Sequence, residues 1–421
     1  MDYYLIFAYI LAYIGILASC FYIINIFFYY KKKAKEEEDC SKRVSIMIPA
    51  FNEENGIAST IKSALNLDYP KNLLEIIVVD DGSKDRTYEI AKRFEKDKRV
   101  KVYKKLNGGK ASALNFALKK ARGEIVVSMD ADTFAKPDSL KKMVAYFKDN
   151  RVMCVAPSMG VYKPKSIWGR ILQIEYYMGV FLRKSFASMN AIHVTPGAFS
   201  AYRRRFFEKY GTYEVGNITE DLEVALRIQS HYYIIENAEK ASIYTSSPDS
   251  FKELLYQRRR WYIGLMKNLW RYRRLFGFKH GPLGYLVLPV AVSTIALSVF
   301  LTFYMIVRLL DELRTELISL NSINFRFDSF FEINSFLFER LFYTILSKPI
   351  FIFAFLFVIL VGFYVYFSKK QMLYKENIRL NFILFVVFYS FLFAFWWAVS
   401  ILYVIFNRKI SWRTRYDERT Q

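Results

Sequence analysis

Residues 74–96 read LEIIVVDDGSKDRTYEIAKRFEK, and this stretch decides the fold class. Its first half is a short apolar run rich in Ile and Val, as expected for a buried strand. The run ends in Asp80-Asp81-Gly82, and residues 84–96 then have the composition of a helix. A strand that passes through an acidic, glycine-containing turn directly into a helix is typical of one repeating unit of a parallel sheet.

The same alternation continues through the first part of a long charged block, residues 42–277. The pattern predicts strands and helices in turn, at 44–49, 55–66, 74–80, 84–96, 99–105, 110–121, 124–130 and 137–149. Short apolar strands followed by helices predict an α/β domain with a mostly parallel sheet and helices on both faces. Sheets of this kind bind ligands at the carboxyl ends of their strands.

Acidic residues collect at those strand ends. The second predicted strand ends in Asp80 and Asp81, and the fourth ends in Asp130 and Asp132. One pair alone would be explained equally well by the turn and helix-cap preferences of Asp, but two pairs on one sheet favour a functional site. Two carboxylates at i and i+2 can share a divalent cation, Mg²⁺ or Mn²⁺, that leaves positions open for phosphate oxygens.

No glycine-rich dinucleotide loop of the form G-x-G-x-x-G occurs in the sequence. Residues 107–112, NGGKAS, resemble a P-loop only superficially, because the first glycine is misplaced and Ala follows the Lys. The sequence therefore predicts a nucleotide site in which a metal, and not a glycine-rich cradle, neutralises the diphosphate.

Four apolar segments are long enough to cross a bilayer. They predict an integral membrane protein. They are residues 5–30, 282–307, 349–367 and 380–406. The first could be a cleaved signal peptide, but it lacks a basic leading region and a small-residue cleavage site, which favours a retained anchor. The predicted domains are an N-terminal transmembrane anchor (1–30), the charged domain (42–277) and a C-terminal membrane region (282–421) with about three transmembrane helices.

The distribution of basic residues predicts which side of the membrane the charged domain faces. KKKAK follows the first span directly and places residues 31 onward in the cytoplasm. The same rule fails for the basic residues 407–415, which the fourth span would place outside. Either the C-terminal topology is irregular or the charged segment 311–348 contains an interfacial helix.

The formal net charge of +22 predicts contact with anionic membrane lipids and not with nucleic acid, because no nucleic-acid motif accompanies it. Residues 165–186 and 251–278 mix basic and aromatic side chains at helical spacing. Such helices lie in the headgroup plane of a bilayer, although a helix buried against the sheet is the alternative. The three cysteines form no metal-binding spacing and suit a reduced, cytosol-facing domain.

Six motifs in order resemble one known family. They are VSIMIPAFNEE (44–54), VVDDGSKDRT (78–87), NGGKASALNFAL (107–118), SMDADT (128–133), TEDLEVALRI (219–228) and QRRRW (257–261). Together they resemble the family 2 inverting glycosyltransferases, most closely the membrane-embedded poly-N-acetylglucosamine, hyaluronan, chitin and cellulose synthases. The resemblance covers about residues 44–264 and implies a Rossmann-like nucleotide-sugar domain of the GT-A type.

The resemblance implies a role for each motif residue. The residues expected to contact the nucleotide are Glu53, Asp80 or Asp81, Lys110 and Asp130. Asp132, together with Asp130, is expected to hold the Mg²⁺ or Mn²⁺ ion.

On the acceptor side, the resemblance makes Asp221 the catalytic base and Glu220 beside it a second catalytic candidate. The alternative is that Asp221 has no catalytic role and is simply an acidic residue in the first turn of a helix, where the helix dipole favours negative charge. The residues expected around the diphosphate and the acceptor sugar are Gln257, Arg260, Trp261 and Gly197. Inverting transfer needs one base at the acceptor and charge stabilisation at the leaving group, which agrees with these roles.

Three functions stay open at this point. The first is a processive synthase that extends a polysaccharide from a nucleotide sugar, with UDP-N-acetylglucosamine or another UDP-hexose favoured by the resemblance. The second adds one sugar to a membrane lipid, such as a polyprenyl phosphate or a glycolipid. The third is a non-catalytic membrane scaffold that binds a nucleotide. About three C-terminal spans are few for a polymer channel, so a small membrane partner or a homo-oligomer could complete one.

Overall fold

We describe the chain from a computed structural model over residues 3–32, 39–322, 339, 342–343, 349–371 and 377–406. The strands are β1 Val44–Ala50, β2 Leu74–Asp80, β3 Val100–Lys104, β4 Ile125–Met129, β5 Thr133–Ala135, β6 Val152–Val161, β7 Phe199–Arg203 and β8 Ile234–Thr245. The helices of the charged domain are α2 Ile57–Leu65, α3 Thr87–Lys92, α4 Lys110–Lys120, α5 Ser139–Val144, α6 Ile167–Ser188, α7 Arg204–Tyr210, α8 Glu220–Ser230 and α9 Phe251–Arg271. Four long helices flank that domain in sequence, namely α1 Tyr3–Lys32, α10 Leu288–Ser322, α11 Pro349–Gln371 and α12 Arg379–Ile405.

The eight strands form one sheet in the order β3-β2-β1-β4-β7-β6-β8-β5. Its first half is parallel, because β1 pairs in parallel with both β2 and β4, and β2 with β3. Beyond β4 the direction reverses, since β7 is antiparallel to β4 and to β6, and β5 is antiparallel to β8. β6 and β8 are again parallel. The first four strands and their helices, predicted from the sequence, are confirmed, and the antiparallel additions come from the second half of the domain.

Helices cover both faces of the parallel half, so its strands are apolar on both sides. Alternate residues of β1 divide between two cores: Ile46 and Ile48 pack on the side of α2, and Met47 packs on the side of α4. All three side chains are fully buried. The predicted α/β architecture with a buried, two-sided sheet is confirmed.

Helix α6 lies between the sheet and the long apolar helices. The buried Lys184 of α6 reaches back to Glu239 of β8 at 3.2 Å. On its other sides α6 accepts hydrogen bonds from α11, where the Ser368 hydroxyl donates to the carbonyl of Tyr177 at 2.6 Å. It also accepts one from α1, where the Asn25 amide donates to the carbonyl of Ser185 at 3.1 Å. The α/β domain and the apolar helices are therefore packed against each other through α6.

Among the described residues, three helices are long and apolar enough to cross a membrane, namely Leu283–Thr315, Phe351–Lys370 and Arg379–Ile405. They correspond to the last three predicted spans. In α1 the apolar stretch found by the same criterion, Ala12–Phe28, is shorter, so the N-terminal anchor stays a prediction. Of the charged segment 311–348, α10 takes in residues up to Ser322, while most of the remainder lies outside the described residues, as do residues 407–421.

Candidate functional site

The loops that follow β1 and β2 are held together by side chains of the second loop. The backbone N–H of Asn52 donates to the hydroxyl of Ser83 at 2.9 Å, and the backbone N–H of Glu53 donates to the hydroxyl of Thr87 at 2.8 Å. Asn52 itself lies at φ 53°, a left-handed conformation that Asn tolerates better than most residues. Glu53 is thus placed at the carboxyl edge of the sheet by Thr87, whose role the sequence analysis did not foresee.

The same β1 loop packs closely against the turn that carries Asp130 and Asp132. The Thr60 hydroxyl donates to the carbonyl of Ala131 at 2.7 Å. A Cβ atom on Gly56 would lie 2.9 Å from that carbonyl oxygen, so only glycine fits here. The two acidic strand ends predicted from the sequence are therefore brought to one edge of the sheet.

Asp81 holds the loop that leads into α4. Its carboxylate accepts hydrogen bonds from the amides of Gly108 and Gly109, the latter at 2.7 Å, and from Lys105 at 2.6 Å. The side chain is only 4% exposed. Gly109 adopts φ +84°, which favours glycine and lets α4 begin at Lys110. In this structure the carboxylate of Asp81 is engaged by its own chain, and a contact with a nucleotide stays a prediction.

Asp80 points to the other side of β2 and is fully buried. Neither of its carboxylate oxygens has a hydrogen-bond partner of good geometry. Burial raises the pKa of Asp80, against the opposing effects of Ser83 and Lys104. Asp80 and Asp81 are therefore not interchangeable, because only Asp81 reaches the loop before Lys110.

Lys110 lies at the centre of an acidic cluster. Its Nζ is 2.7 Å from Oδ1 of Asp130 and 3.0 Å from Oε1 of Glu220. The surrounding carboxylates raise the pKa of Lys110 despite its burial, so it stays protonated. The first residue of α4, the exit of β4 and the first residue of α8 meet at this ammonium group. The structure thus brings together three residues that the sequence placed in separate motifs.

Asp221 lies beside this cluster in the first turn of α8. The amide of Gly197 donates to its Oδ2 at 2.9 Å, and the amide of Leu222 donates to its Oδ1 at 2.8 Å. Burial and the neighbouring Glu220 raise the pKa of Asp221 to about 6, while Lys110 opposes the rise. A carboxylate whose pKa lies close to neutrality and that lies next to a cation can act as a general base.

Asp132 has different partners from Asp130. Its carboxylate accepts hydrogen bonds from the hydroxyls of Ser246 and Thr245, which follow or end β8. The two carboxylates of the D-x-D pair are therefore engaged by different partners, Asp130 by Lys110 and Asp132 by the hydroxyls. Carboxylates and hydroxyls are the oxygen donors that a hard cation takes, so the residues fit Mg²⁺ or Mn²⁺ in kind. Among the residues that the structure describes, no three or more His, Cys, Asp or Glu side chains are grouped so that they could hold a metal ion.

Helix α9 supports the start of α8 from behind. The Asn268 amide donates to the hydroxyl of Thr219 at 3.0 Å, one residue before Glu220. A Cβ on Gly264 would lie 2.3 Å from that same hydroxyl. Only glycine at position 264 therefore lets α9 approach Thr219 this closely. The isolated glycine in the helical stretch RRRWYIGLMK was the only signal of this contact in the sequence.

The Q-x-x-R-W signature lies in α9 around a buried ion pair. Arg258 is 2% exposed and makes two hydrogen bonds of 2.7 Å to the carboxylate of Glu175 on α6. Its guanidinium carbon lies 4.5 Å from the ring centroid of Trp261 and 5.4 Å from that of Trp396 in α12. The Oε1 atom of Gln257 is buried without a hydrogen-bond partner. Trp261 is therefore fixed by Arg258, and none of the contacts described here joins Gln257 or Trp261 to the cluster around Lys110.

Comparison with known proteins agrees with the resemblance seen in the sequence. Residues 45–211 match the model of the family described as "Glycosyl transferase family 2". The chain is 32% identical over 234 residues to a poly-beta-1,6-N-acetyl-D-glucosamine synthase of Staphylococcus epidermidis, a match that covers 54% of this chain and 56% of that protein. It is 29% identical over 223 residues to a beta-monoglucosyldiacylglycerol synthase of Nostoc sp., covering 52% of this chain and 48% of that protein. The chain spans about half the length of the curated relatives it matches.

One solved structure is similar over nearly the whole chain. The mannosyltransferase PcManGT of Pyrobaculum calidifontis, in complex with GDP-Man and Mn²⁺, superposes with a TM-score of 0.53 at 21% identity, covering 90% of this chain and 98% of that one. At this level of identity the similarity concerns the fold. Sequence and fold thus point to the same kind of protein: residues 45–211 resemble the family 2 glycosyltransferases, and the fold resembles that of a mannosyltransferase.

Proposed function

We propose that this protein is a membrane-bound inverting glycosyltransferase in which Asp221 is the catalytic base. One observation carries the proposal: the carboxylate of Asp221 is oriented by the Gly197 amide, has a pKa raised to about 6, and lies beside the Lys110–Asp130 ion pair at the carboxyl edge of the sheet. Inverting transfer requires a base for the acceptor hydroxyl and positive charge for the leaving group, and both kinds of group lie together here.

The acceptor side of the reaction needs a group that removes one proton. Ionised Asp221 takes the proton of the acceptor hydroxyl through Oδ1 or Oδ2 as that oxygen attacks the anomeric carbon. Because Gly197 and Leu222 each occupy one lone pair, the carboxylate cannot rotate away from the acceptor. The contribution of such a base is on the order of 10²–10⁴-fold in rate.

The leaving-group side needs positive charge for the departing diphosphate. Lys110 supplies one positive charge beside Asp130, and its pairing with Glu220 keeps the ammonium at the edge of the sheet. Asp130 and Asp132 would hold the divalent ion, Mg²⁺ or Mn²⁺, which when bound neutralises charge on the diphosphate. Glu53, Asp80 and Asp81 are the proposed nucleotide-side residues, and Gln257, Arg260 and Trp261 the proposed residues of the diphosphate and acceptor.

Two kinds of acceptor have support from relatives. The similarity to a poly-beta-1,6-N-acetyl-D-glucosamine synthase favours a growing polysaccharide and an N-acetylglucosamine donor. The similarity to a beta-monoglucosyldiacylglycerol synthase favours a single transfer to a lipid as the second candidate. In both cases the three helices of spanning length fit a multi-pass membrane protein, and the basic residues 31–35 favour a catalytic domain that faces the cytoplasm.

The decisive experiment uses the full chain, purified in detergent with native lipid and supplied with labelled UDP- and GDP-sugars in the presence of Mg²⁺ or Mn²⁺. We expect a labelled product that Asp221→Asn fails to make while it keeps the melting temperature of the parent. A large water-soluble product identifies a polysaccharide synthase, and a small product that enters organic solvent identifies lipid glycosylation.

Glu208→Gln is the matched control for that variant. Glu208 is an exposed carboxylate of α7 that pairs with Arg204 on its own helix, so its loss should leave product formation unchanged. Full product from Asp221→Asn would remove Asp221 from the role of base. The absence of product from the parent with every donor would favour a non-catalytic nucleotide-binding protein.

A further inference from the structure

One buried side chain of α9, Asn268, is hydrogen-bonded to the segment that leads into α8. Its Nδ2 atom donates to Oγ1 of Thr219 at 3.0 Å and to Oδ1 of Asn217 at 3.2 Å. Its Oδ1 atom accepts from Nδ2 of Asn217 at 3.0 Å. Asn268 is 2% exposed, so both polar atoms of a buried amide are engaged. Both partners lie within the three residues before Glu220.

Asn217 extends this connection to the backbone of the same segment. Its Oδ1 atom also accepts the backbone N–H of Thr219 at 3.1 Å, and its Nδ2 atom also donates to Glu214 at 3.1 Å. Glu214 in turn pairs with Arg271 of α9. The segment from Glu214 to Thr219 is therefore attached to α9 at both of its ends.

The hydroxyl of Thr219 is used differently from that of most helix caps. Thr219 is the N-cap residue of α8, a position at which a Thr hydroxyl usually accepts an amide of the first turn. Here it makes no such bond and accepts from Asn268 instead. In the first turn the Leu222 amide is bound by the carboxylate of Asp221. The start of α8 is therefore held from α9 and not by its own cap.

The packing at this point leaves little room for another arrangement. Thr219 is buried, and the absence of a side chain at Gly264 leaves the space that the Thr219 hydroxyl occupies. If Asn268 were lost, the Asn217 amide would lose a partner on both of its polar atoms. A buried polar group without its partner is costly, so the segment would move to find another one.

We propose that Asn268 is a positioning residue of the transfer reaction, which fixes the Asn217–Thr219 segment and, through it, the place of Asp221. Glu220 and Asp221 follow Thr219 directly in the chain, and their contacts to Lys110 and Gly197 depend on where α8 begins. The inference rests on the proposed function, in which Asp221 is the base. Because α9 also carries Trp261, one helix then holds both the base and a proposed acceptor residue.

The test uses the full chain in detergent with native lipid and compares Asn268→Leu with the parent. Leucine has the same branching as asparagine but makes no hydrogen bond. We expect kcat to fall about 10-fold or more, because small displacements of a reacting group have effects of this size. The KM for the nucleotide sugar should not change, because the contacts of Asn268 lie away from the strand ends proposed to bind it.

Two further variants isolate the hydroxyl that Asn268 holds. Thr219→Val removes this hydroxyl and should lower kcat in the same way, whereas Thr219→Ser keeps it and should retain the kcat of the parent. Asn150→Leu makes the same change at an exposed asparagine and is the control, with neither kcat nor melting temperature affected. If Asn268→Leu does not fold, the two Thr219 variants decide the question.

A structure of Asn268→Leu by cryo-electron microscopy gives a readout that does not depend on transfer. The distance between the Gly197 nitrogen and Oδ2 of Asp221 should exceed the 2.9 Å found here. An unchanged distance overturns the inference. So does a parental kcat in Asn268→Leu and Thr219→Val, or a loss confined to the melting temperature, which would make Asn268 a residue of the fold alone.

Failure of the proposed function gives a different result. The parent would then make no product, or Asp221→Asn would make as much as the parent. The Gly197–Asp221 distance in Asn268→Leu would still show whether Asn268 positions Asp221.

Discussion

The backbone amide of Gly197 donates a hydrogen bond of 2.9 Å to Oδ2 of Asp221. This oxygen lies where a side chain at position 197 would begin, so the position requires glycine. A Cβ on Gly197 would lie 2.8 Å from Oδ2 and 3.0 Å from Nζ of Lys110. The segment before β7 therefore fixes the positions of the proposed base and of the cation beside it.

Replacing this glycine should displace both groups. We expect Gly197→Ala to lower kcat about 10²-fold, since a displacement of about 1 Å at a reacting group has that effect. Overpacking should lower the free energy of unfolding by about 1–3 kcal/mol. Steady-state kinetics and thermal unfolding measure the two quantities. Gly15→Ala in α1, where a Cβ would meet nothing within 4 Å, is the control, and an equal loss of activity there would contradict the argument.

The pH dependence of transfer should report the ionisation of Asp221. Its pKa is raised to about 6, and only the ionised form accepts a proton, so kcat/KM should rise with pH through this value and then level off. Lys110 lowers the pKa of Asp221, so Lys110→Met should move the rise to higher pH. An acid limb that stays in place in Lys110→Met would mean that another group governs the profile.

Asp81 should prove to be a stabilising residue of the loop before α4. Asp81→Asn weakens hydrogen bonds to the amides of Gly108 and Gly109 and to Lys105, and we expect the free energy of unfolding to fall by about 1.5–3 kcal/mol. Binding of UDP should weaken in parallel, because Lys110 follows this loop. Lost UDP binding at unchanged stability would instead favour the direct nucleotide contact that the family resemblance implies.

The Arg258–Glu175 pair should show strong coupling in a double-mutant cycle. Glu175→Leu leaves the buried Arg258 charge alone and should lower the free energy of unfolding by about 3–5 kcal/mol. Arg258→Met leaves only the partly exposed Glu175 carboxylate without its partner and should cost less. The double variant removes both charges and should recover most of that loss. Thermal unfolding in detergent measures the cycle, and additive losses would show that the two residues act independently.

The sequence predicted the parallel half of the domain well because its local pattern and its tertiary environment agree. In β2 the apolar run, the acidic turn and the following helix each favour the same unit, and β2 pairs along its whole length with β1. The antiparallel half was not predicted, because β7 and β8 join strands that are distant in sequence. Nothing in the local pattern of Phe199–Arg203 indicates that it pairs next to β4.

At the site, residue types were easier to predict than partners. Lys110, Asp130, Glu220 and Asp221 were selected from motifs, and the structure brings them together. Arg258 was overlooked because three consecutive arginines in α9 look alike in sequence, and only packing buries one of them against Glu175. The different partners of Asp130 and Asp132 also depend on Thr245 at the end of β8 and on Ser246 after it, both more than 100 residues from Asp132 in the chain.

The position of α6 sets a practical limit on how this protein can be divided. One side of the helix is joined to the sheet through Lys184, and other sides accept hydrogen bonds from α1 and α11. Cutting the chain at the ends of the charged block would expose, on the excised catalytic fragment, the apolar surface of α6 that packs against the long helices. Recombination between homologues faces the same restriction: a swapped catalytic half must bring matching transmembrane helices with it, or α6 will meet a surface it does not fit.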